Sequence, residues 1–226
     1  MNRKLLLNKI LSLMNEQMPH LNKKTFVSDE LAKAVFGAIP PYSPRKTYHI
    51  LPVNTATLSG FVICFFQNQI VMIRKRPLSY KTRFLGFLGG FVNIDKNTRE
   101  TPQQAALREF GEECCDEKAR PLIDFSPERL KIINVYMDYT KIELDLTPTL
   151  NVAYQLELTA DEFHKIKEHT EKMRSDATYA NHIHNATNHE VFAFEISPIA
   201  DLLQHQANFA HQNEFAALSE FYQNHY

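Results

Sequence analysis

Apolar positions along this chain recur with two periods, and the places where the period changes outline its elements. Leu6, Ile10, Leu13 and Met14 fall on one helical face, so residues 1–18 read as an amphipathic helix. Ser28-Asp29 caps a second short helix ending near Gly37, and the run Ile39-Pro40-Pro41-Tyr42-Ser43-Pro44 then breaks the pattern. Phe61 to Phe66, a Gln67-Asn68 turn and Ile70 to Ile73 make a β-hairpin rich in β-branched and aromatic residues. Phe84 to Val92 reads as a strand, and Leu130 to Asp138 and Leu150 to Leu158 as two more. Residues 160–173 suggest a helix, Glu190 to Ile196 a last strand, and Ser197-Pro198 the opening of a helical tail. This order suits an α/β sandwich with a mixed sheet.

Between the third strand and the fourth lies the segment that carries chemistry. Thr101, Pro102 and Gln104 make a helix start, with a hydroxyl N-cap, Pro at the first position and a capping-box partner. The Ala-, Leu- and Glu-rich run that follows should stay helical to about Cys114. On that helix Glu109, Glu112 and Glu113 stand at i, i+3 and i+4, which puts three carboxylates on one face. Like charges so placed repel, each pair costing a few tenths of a kcal/mol even when exposed. A solvated acidic face is the plain alternative. A hard divalent cation with oxygen ligands would remove the repulsion and leave positions for water and phosphate.

Glu100, seven further residues, then Arg108-Glu109-Phe110-Gly111-Glu112-Glu113, all preceded by Gly89-Gly90, resembles the Nudix box of the Nudix hydrolases. Nine residues rather than five separate Gly90 from Glu100, Phe110 replaces an aliphatic residue, and Cys115-Asp116 replaces the closing Gly-aliphatic pair. The resemblance implies a Nudix-type α/β/α sandwich with a mixed sheet over residues 51–226, with residues 1–50 as a helical N-terminal extension. It implies hydrolysis of the diphosphate linkage of a nucleoside diphosphate joined to another moiety, ADP-ribose or a similar nucleotide sugar being the best guess. Mg²⁺ or Mn²⁺ would be held by Glu109, Glu112, Glu113 and the Gly90 carbonyl. Glu112 and Glu113 would serve catalysis, and Arg108 and Glu100 would clamp the loop to the helix. Many family members take a general base from a loop before the last strand. Glu190 matches that position, with Glu168, Glu171 and Asp176 as alternatives.

Composition changes little in this picture. The 226 residues are 44% hydrophobic and 23% charged, with a net charge of −1, so no electrostatic footprint for nucleic acid or an anionic membrane is visible. Three cysteines, Cys64, Cys114 and Cys115, make no disulfide framework and fit a reducing, cytoplasmic compartment. Of the adjacent pair, one is expected to be packed and one exposed, with neighbouring carboxylates raising the thiol pKa. Asn8 and Lys9 interrupt the only leader-like run, and no span of 18 apolar residues exists.

The sequence is least informative about specificity. Arg74 and Tyr136 are the expected substrate-binding residues, and Tyr139, Tyr154 and Phe87 could also stack a base, although core packing competes for each aromatic. His182, His184 and His189 form a cluster in which the i, i+2 spacing could place two imidazoles together on an extended strand, a weak pointer to zinc. The plainer reading is a mobile polar loop, with residues 164–189 as a lid over the site. The apolar stripe near the N-terminus suggests a homodimer contact or a packed extension. A non-catalytic nucleotide-sensing or interaction protein is the alternative function.

Overall fold

The computed structural model describes residues 25–26, 55–75, 85–93, 100–138 and 149–226. The expected helices over 1–18 and 28–37, and Tyr139, lie outside the described residues. Among the described residues eight strands form one mixed sheet: β1 (Thr25–Phe26), β2 (Thr55–Phe66), β3 (Gln69–Lys75), β4 (Leu85–Gly86), β5 (Leu88–Phe91), β6 (Lys131–Asp138), β7 (Thr149–Glu157) and β8 (Val191–Pro198). The helices used below are α1 (Pro102–Glu113), α2 (Ala160–Ser175), α3 (Ala177–Ala186), α4 (Ile199–Leu202) and α5 (Gln212–His225).

The long strand β2 organises the sheet. It runs parallel to β7 from Thr57↔Thr149 to Phe65↔Glu157, and β6 continues beyond β7 in antiparallel register. On its other edge β2 pairs with β5 over Ser59–Val62 and with β3 over Cys64–Phe66. The partner changes because β3 diverges from β2 and carries β4 and β8 with it. This divergence corrects the single strand expected over Phe84–Val92. The chain leaves β3 after Gly86, crosses at Phe87 and joins β2 at Leu88. Phe87 at the crossing donates its N–H to Glu214 Oε1 on α5 (3.2 Å) instead of to a strand.

Strict alternation along β2 feeds two cores. Leu58, Val62 and Cys64 pack with Ala106, Phe110, Ile166 and Ile183 on the side of α1, α2 and α3. Phe61, Ile63 and Phe65 pack with Leu218 and Phe221 of α5 on the other side. Burial on both faces explains why Phe61–Phe66 reads as a continuous apolar run. The result is an α/β/α sandwich, as expected.

Residues 176–189 depart from expectation. Ala177–Ala186 forms a helix whose N-cap Asp176 accepts from Thr178 and Tyr179 N–H at 2.9 and 3.0 Å. Tyr179 and Ile183, four apart, enter the core beside Ile166, His169 and Met173 of α2. Two apolar anchors one turn apart were too few to show above the polar background. Packed against α2, the segment is thus a helix rather than a loop.

Candidate metal centre

Helix α1 starts with the capping box read from sequence: Thr101 Oγ1 accepts from Gln104 N–H at 3.2 Å, and Gln104 Oε1 accepts from Thr101 N–H at 2.8 Å. The helix lies so close to the sheet that a Cβ on Gly60 would come within 2.1 Å of the Pro102 carbonyl oxygen. A Cβ on Gly90 would fall 2.3 Å from the Glu109 carboxyl carbon. Gly89 has φ 151°, and a side chain there would strike Gly60 O at 2.3 Å. Gly60 therefore lets the start of α1 lie on β2, Gly89 lets β5 run close beside β2, and Gly90 lets β5 lie against the acidic face of α1.

That face is held by one arginine. Arg108 grips Glu100 through Nε and Nη2 (2.7 and 3.2 Å), donates from Nη1 to Glu109 (2.8 Å) and Glu112 (3.0 Å), and from Nη2 to the Phe91 carbonyl (2.9 Å). Glu100, itself buried, accepts the Asn93 N–H at 2.7 Å. Forked geometry of this kind fixes strand, loop and helix as one body. At the other end of α1, Cys114 and Cys115 are both buried, which corrects the expected exposure of one. Burial first, then neighbouring acidic groups, pushes both thiols up. Cys114 caps the helix, and beyond it Asp116 shapes the next turn by accepting from the N–H groups of Lys118 and Arg120.

Glu109, Glu113 and Glu190 each bring one carboxylate oxygen to within 4.8 Å of the others, the first partly buried, the second buried and the third exposed. Glu190 arrives from a turn in which Asn188 (φ 50°) and His189 (φ 61°) are consecutive left-handed residues. Such conformations are uncommon outside glycine and gather at functional sites. Glu112 does not join this cluster: its carboxylate is 59% exposed and turned to Arg108. Mg²⁺ binds oxygens at about 2.1 Å, so opposed ligand oxygens lie about 4.2 Å apart. Only one pair of the three can be opposed; adjacent ligand oxygens lie about 3.0 Å apart, so the side chains would close by up to about 2 Å for all three to share one ion.

The electrostatics suit a cation beside these carboxylates. Burial pushes the Glu113 carboxyl up to about 7, against the opposing pull of Lys75 and the Gly89 N–H. Burial also raises Glu109, while Arg108 opposes the rise. Gly89 N–H donates to Glu113 Oε2 at 2.7 Å, and Lys75 Nζ stands 3.4 Å from Glu113 Oε1.

The remaining expected residues lie elsewhere. Tyr136 is buried on the α5 side, its hydroxyl donating to Glu220 Oε2 at 2.5 Å, because β6 alternation turns it away from α1. Arg74 pairs with Glu195 of the adjacent strand at 2.6 Å. Tyr154 and Phe87 are buried in the two cores. Glu168 pairs with His164, and Asp176 is spent as a helix cap. His182 and His184 stand two apart on a helix, about 200° around its axis, and no histidine joins the carboxylate cluster among the described residues. Lys75 carries no signal in the sequence beyond following Arg74 in the strand.

The folded chain is similar to a NUDIX hydrolase from Nitrosomonas europaea, with a TM-score of 0.50, 11% identity, and 75% of this chain and 90% of that one covered. This chain has the Nudix hydrolase fold. It is also similar to the NUDIX domain of Shewanella oneidensis NrtR complexed with ADP ribose (TM-score 0.46, 13% identity, 81% and 93% covered). A third similar structure is the E. coli dihydroneopterin triphosphate pyrophosphohydrolase (TM-score 0.44, 17% identity, 74% and 95% covered). No protein-family model and no curated protein matches the chain. Among the described residues no helix is long and apolar enough to cross a membrane.

Proposed function

We propose that the chain is a divalent-metal-dependent Nudix hydrolase that cleaves the diphosphate linkage of a nucleoside diphosphate joined to another group, a nucleotide sugar such as ADP-ribose. The observation that carries this reading is the convergence of Glu109, Glu113 and Glu190, two from one helix and one from a strained turn about eighty residues away. A solvated acidic face would not draw in a carboxylate from a distant turn. Glu109 and Glu113 would hold Mg²⁺ or Mn²⁺ beside the Gly89-Gly90 backbone. The bound ion would neutralise phosphate charge and acidify water.

The chain's own groups divide the rest of the work. Glu190, the exposed member, is the base: it takes the proton as the water oxygen bonds to one phosphorus. The bridging P–O bond breaks, and the bridging oxygen leaves with the other phosphate. Glu112 and Arg108 keep Glu109 in place, and the Arg108–Glu100 fork anchors the loop before α1. A product-release assay over a panel of nucleotide sugars, dinucleotides and nucleoside triphosphates, with Mg²⁺ or Mn²⁺, tests this reading. Metal-dependent release that vanishes in Glu113→Gln and Glu190→Gln supports it. Tight nucleotide binding with no release from any substrate would make the chain a nucleotide sensor instead.

A further inference from the structure

The carboxylate cluster has a neighbour on the opposite side of β5 that the hydrolytic scheme does not use. Glu214, in the first turn of α5, is buried to 4% exposure. Its Oε1 accepts the Phe87 N–H at 3.2 Å, while its Oε2 is buried with no hydrogen-bond partner. A buried carboxylate oxygen without a partner is costly and calls for an explanation.

Lys75 supplies the explanation. Its ammonium stands 3.4 Å from Glu113 Oε1 and 3.4 Å from the Gly89 carbonyl, and Glu214 acts on it electrostatically. A methyl placed on Gly86 would meet Lys75 Cε at 3.1 Å and Glu214 Oε1 at 3.2 Å, so lysine stem and carboxylate flank the same bare glycine. Gly86 thus leaves open the space through which the ammonium can approach Glu214. A chain of alternating charge, Glu113, Lys75, Glu214, runs from the face of α1 to the C-terminal helix on the other side of the sheet.

We propose that Lys75 and Glu214 are a positioning pair for the metal centre: Lys75 holds Glu113 while the site is empty, and Glu214 is the second acceptor that draws the ammonium aside when a divalent cation takes Glu113. The inference rests on the metal reading proposed above. It explains why an isolated carboxylate is buried in α5, and why β3 ends in a lysine directed at an acidic ligand. Without Glu214, the ammonium and the incoming cation compete for one carboxylate. With it, the ammonium has a preformed place to go. The C-terminal helix then contributes to metal affinity without touching the metal.

Mn²⁺ binding to the full chain, read as loss of the free-ion spectroscopic signal, tests the pair without relying on turnover. Glu214→Gln should weaken Mn²⁺ binding about tenfold, since outer residues that orient metal ligands usually carry effects of that size. Lys75→Met should tighten it several-fold, and in the Lys75→Met background Glu214→Gln should have no further effect. Melts of the metal-free variants establish folding; should Glu214→Gln not fold, Lys75→Met alone decides, because tighter binding is expected only if the ammonium competes with the ion. Wild-type affinity in both single variants, or equal weakening by Glu214→Gln in both backgrounds, overturns the pairing. Absence of Mn²⁺ binding by the wild-type chain overturns the metal reading itself, and the pairing with it.

Discussion

Replacing Glu113 with glutamine should raise the stability of the metal-free protein while abolishing hydrolysis, a combination few surface explanations allow. Glu113 is 3% exposed, and burial moves its carboxyl from 4.5 to about 7. That displacement corresponds to about 3 kcal/mol of disfavoured charge in the folded state. The folded carboxyl binds its proton more tightly than the unfolded one, so the contribution to stability is fully present below about pH 4.5 and lost as pH rises through about 7. At pH 8.5 the wild type bears the whole penalty. Glutamine carries no charge, and its carbonyl oxygen can still accept the Gly89 N–H that now reaches Glu113 at 2.7 Å. The pull of Lys75 is already counted in that net displacement, so the gain is up to about 3 kcal/mol, or up to roughly 10 °C for a chain of this size. Thermal melts in chelator at pH 5 and pH 8.5 measure it: the variant should exceed the wild type at the higher pH and converge with it at the lower. Hydrolysis on the best substrate should fall a hundredfold or more, the order seen when a group acting on developing charge is lost. A variant that melts below the wild type at pH 8.5, or that keeps its activity, would refute the placement of Glu113 as a buried metal ligand.

Gly90→Ala should cost at least about tenfold in Mn²⁺ affinity by displacing Glu109, whereas Gly111→Ala, whose new methyl would meet only the Pro121 side chain at 3.3 Å, should stay near wild type. Arg108→Lys should lower stability by about 1–3 kcal/mol, because an ammonium cannot reproduce the fork on Glu100 together with the bond to Phe91 O; chemical denaturation measures it. Burial, and then Lys172, lowers His169 to about 4, so the wild type should lose up to about 3 kcal/mol as pH falls from 6.5 to 4, and His169→Gln should flatten that slope.

The sequence is most legible where local chemistry and global packing coincide. The capping box at Thr101 and the alternation along β2 each express one physical requirement in neighbouring residues, and both elements form as read. Phe84–Val92 misleads because its break is imposed by strand partners: β3 and β2 part company, and no residue near Phe87 records that event. Helix α3 is hidden for a similar reason, with Tyr179 and Ile183 its only buried anchors. Tyr136 shows the limit of reasoning from residue type. An aromatic suited to stacking a base looks the same in sequence as one suited to a core, and only the parity of its position in β6 decides.

The site itself divides along the same line. Glu109 and Glu113 were readable because helical periodicity alone places them together, one turn apart. Their third partner was readable only through a likeness of position, since about eighty residues separate Glu113 from Glu190. Glu112 shows why spacing is insufficient even within one helix. At i+3 from Glu109 it satisfies the face criterion, yet Arg108, four residues before it, captures its carboxylate at 3.0 Å. Arg108 thus braces Glu109 and Glu112 alike, and what separates them is that Glu109, with Glu113, comes within reach of Glu190. Lys75 and Glu214 are further from legibility, since it is the crossing at Phe87 and the bare Gly86 that set the lysine stem and the carboxylate side by side. Charge balance at the centre is therefore a property of the sheet's divergence. A variant that sealed the gap between β2 and β3 would be expected to alter metal affinity without touching any ligand.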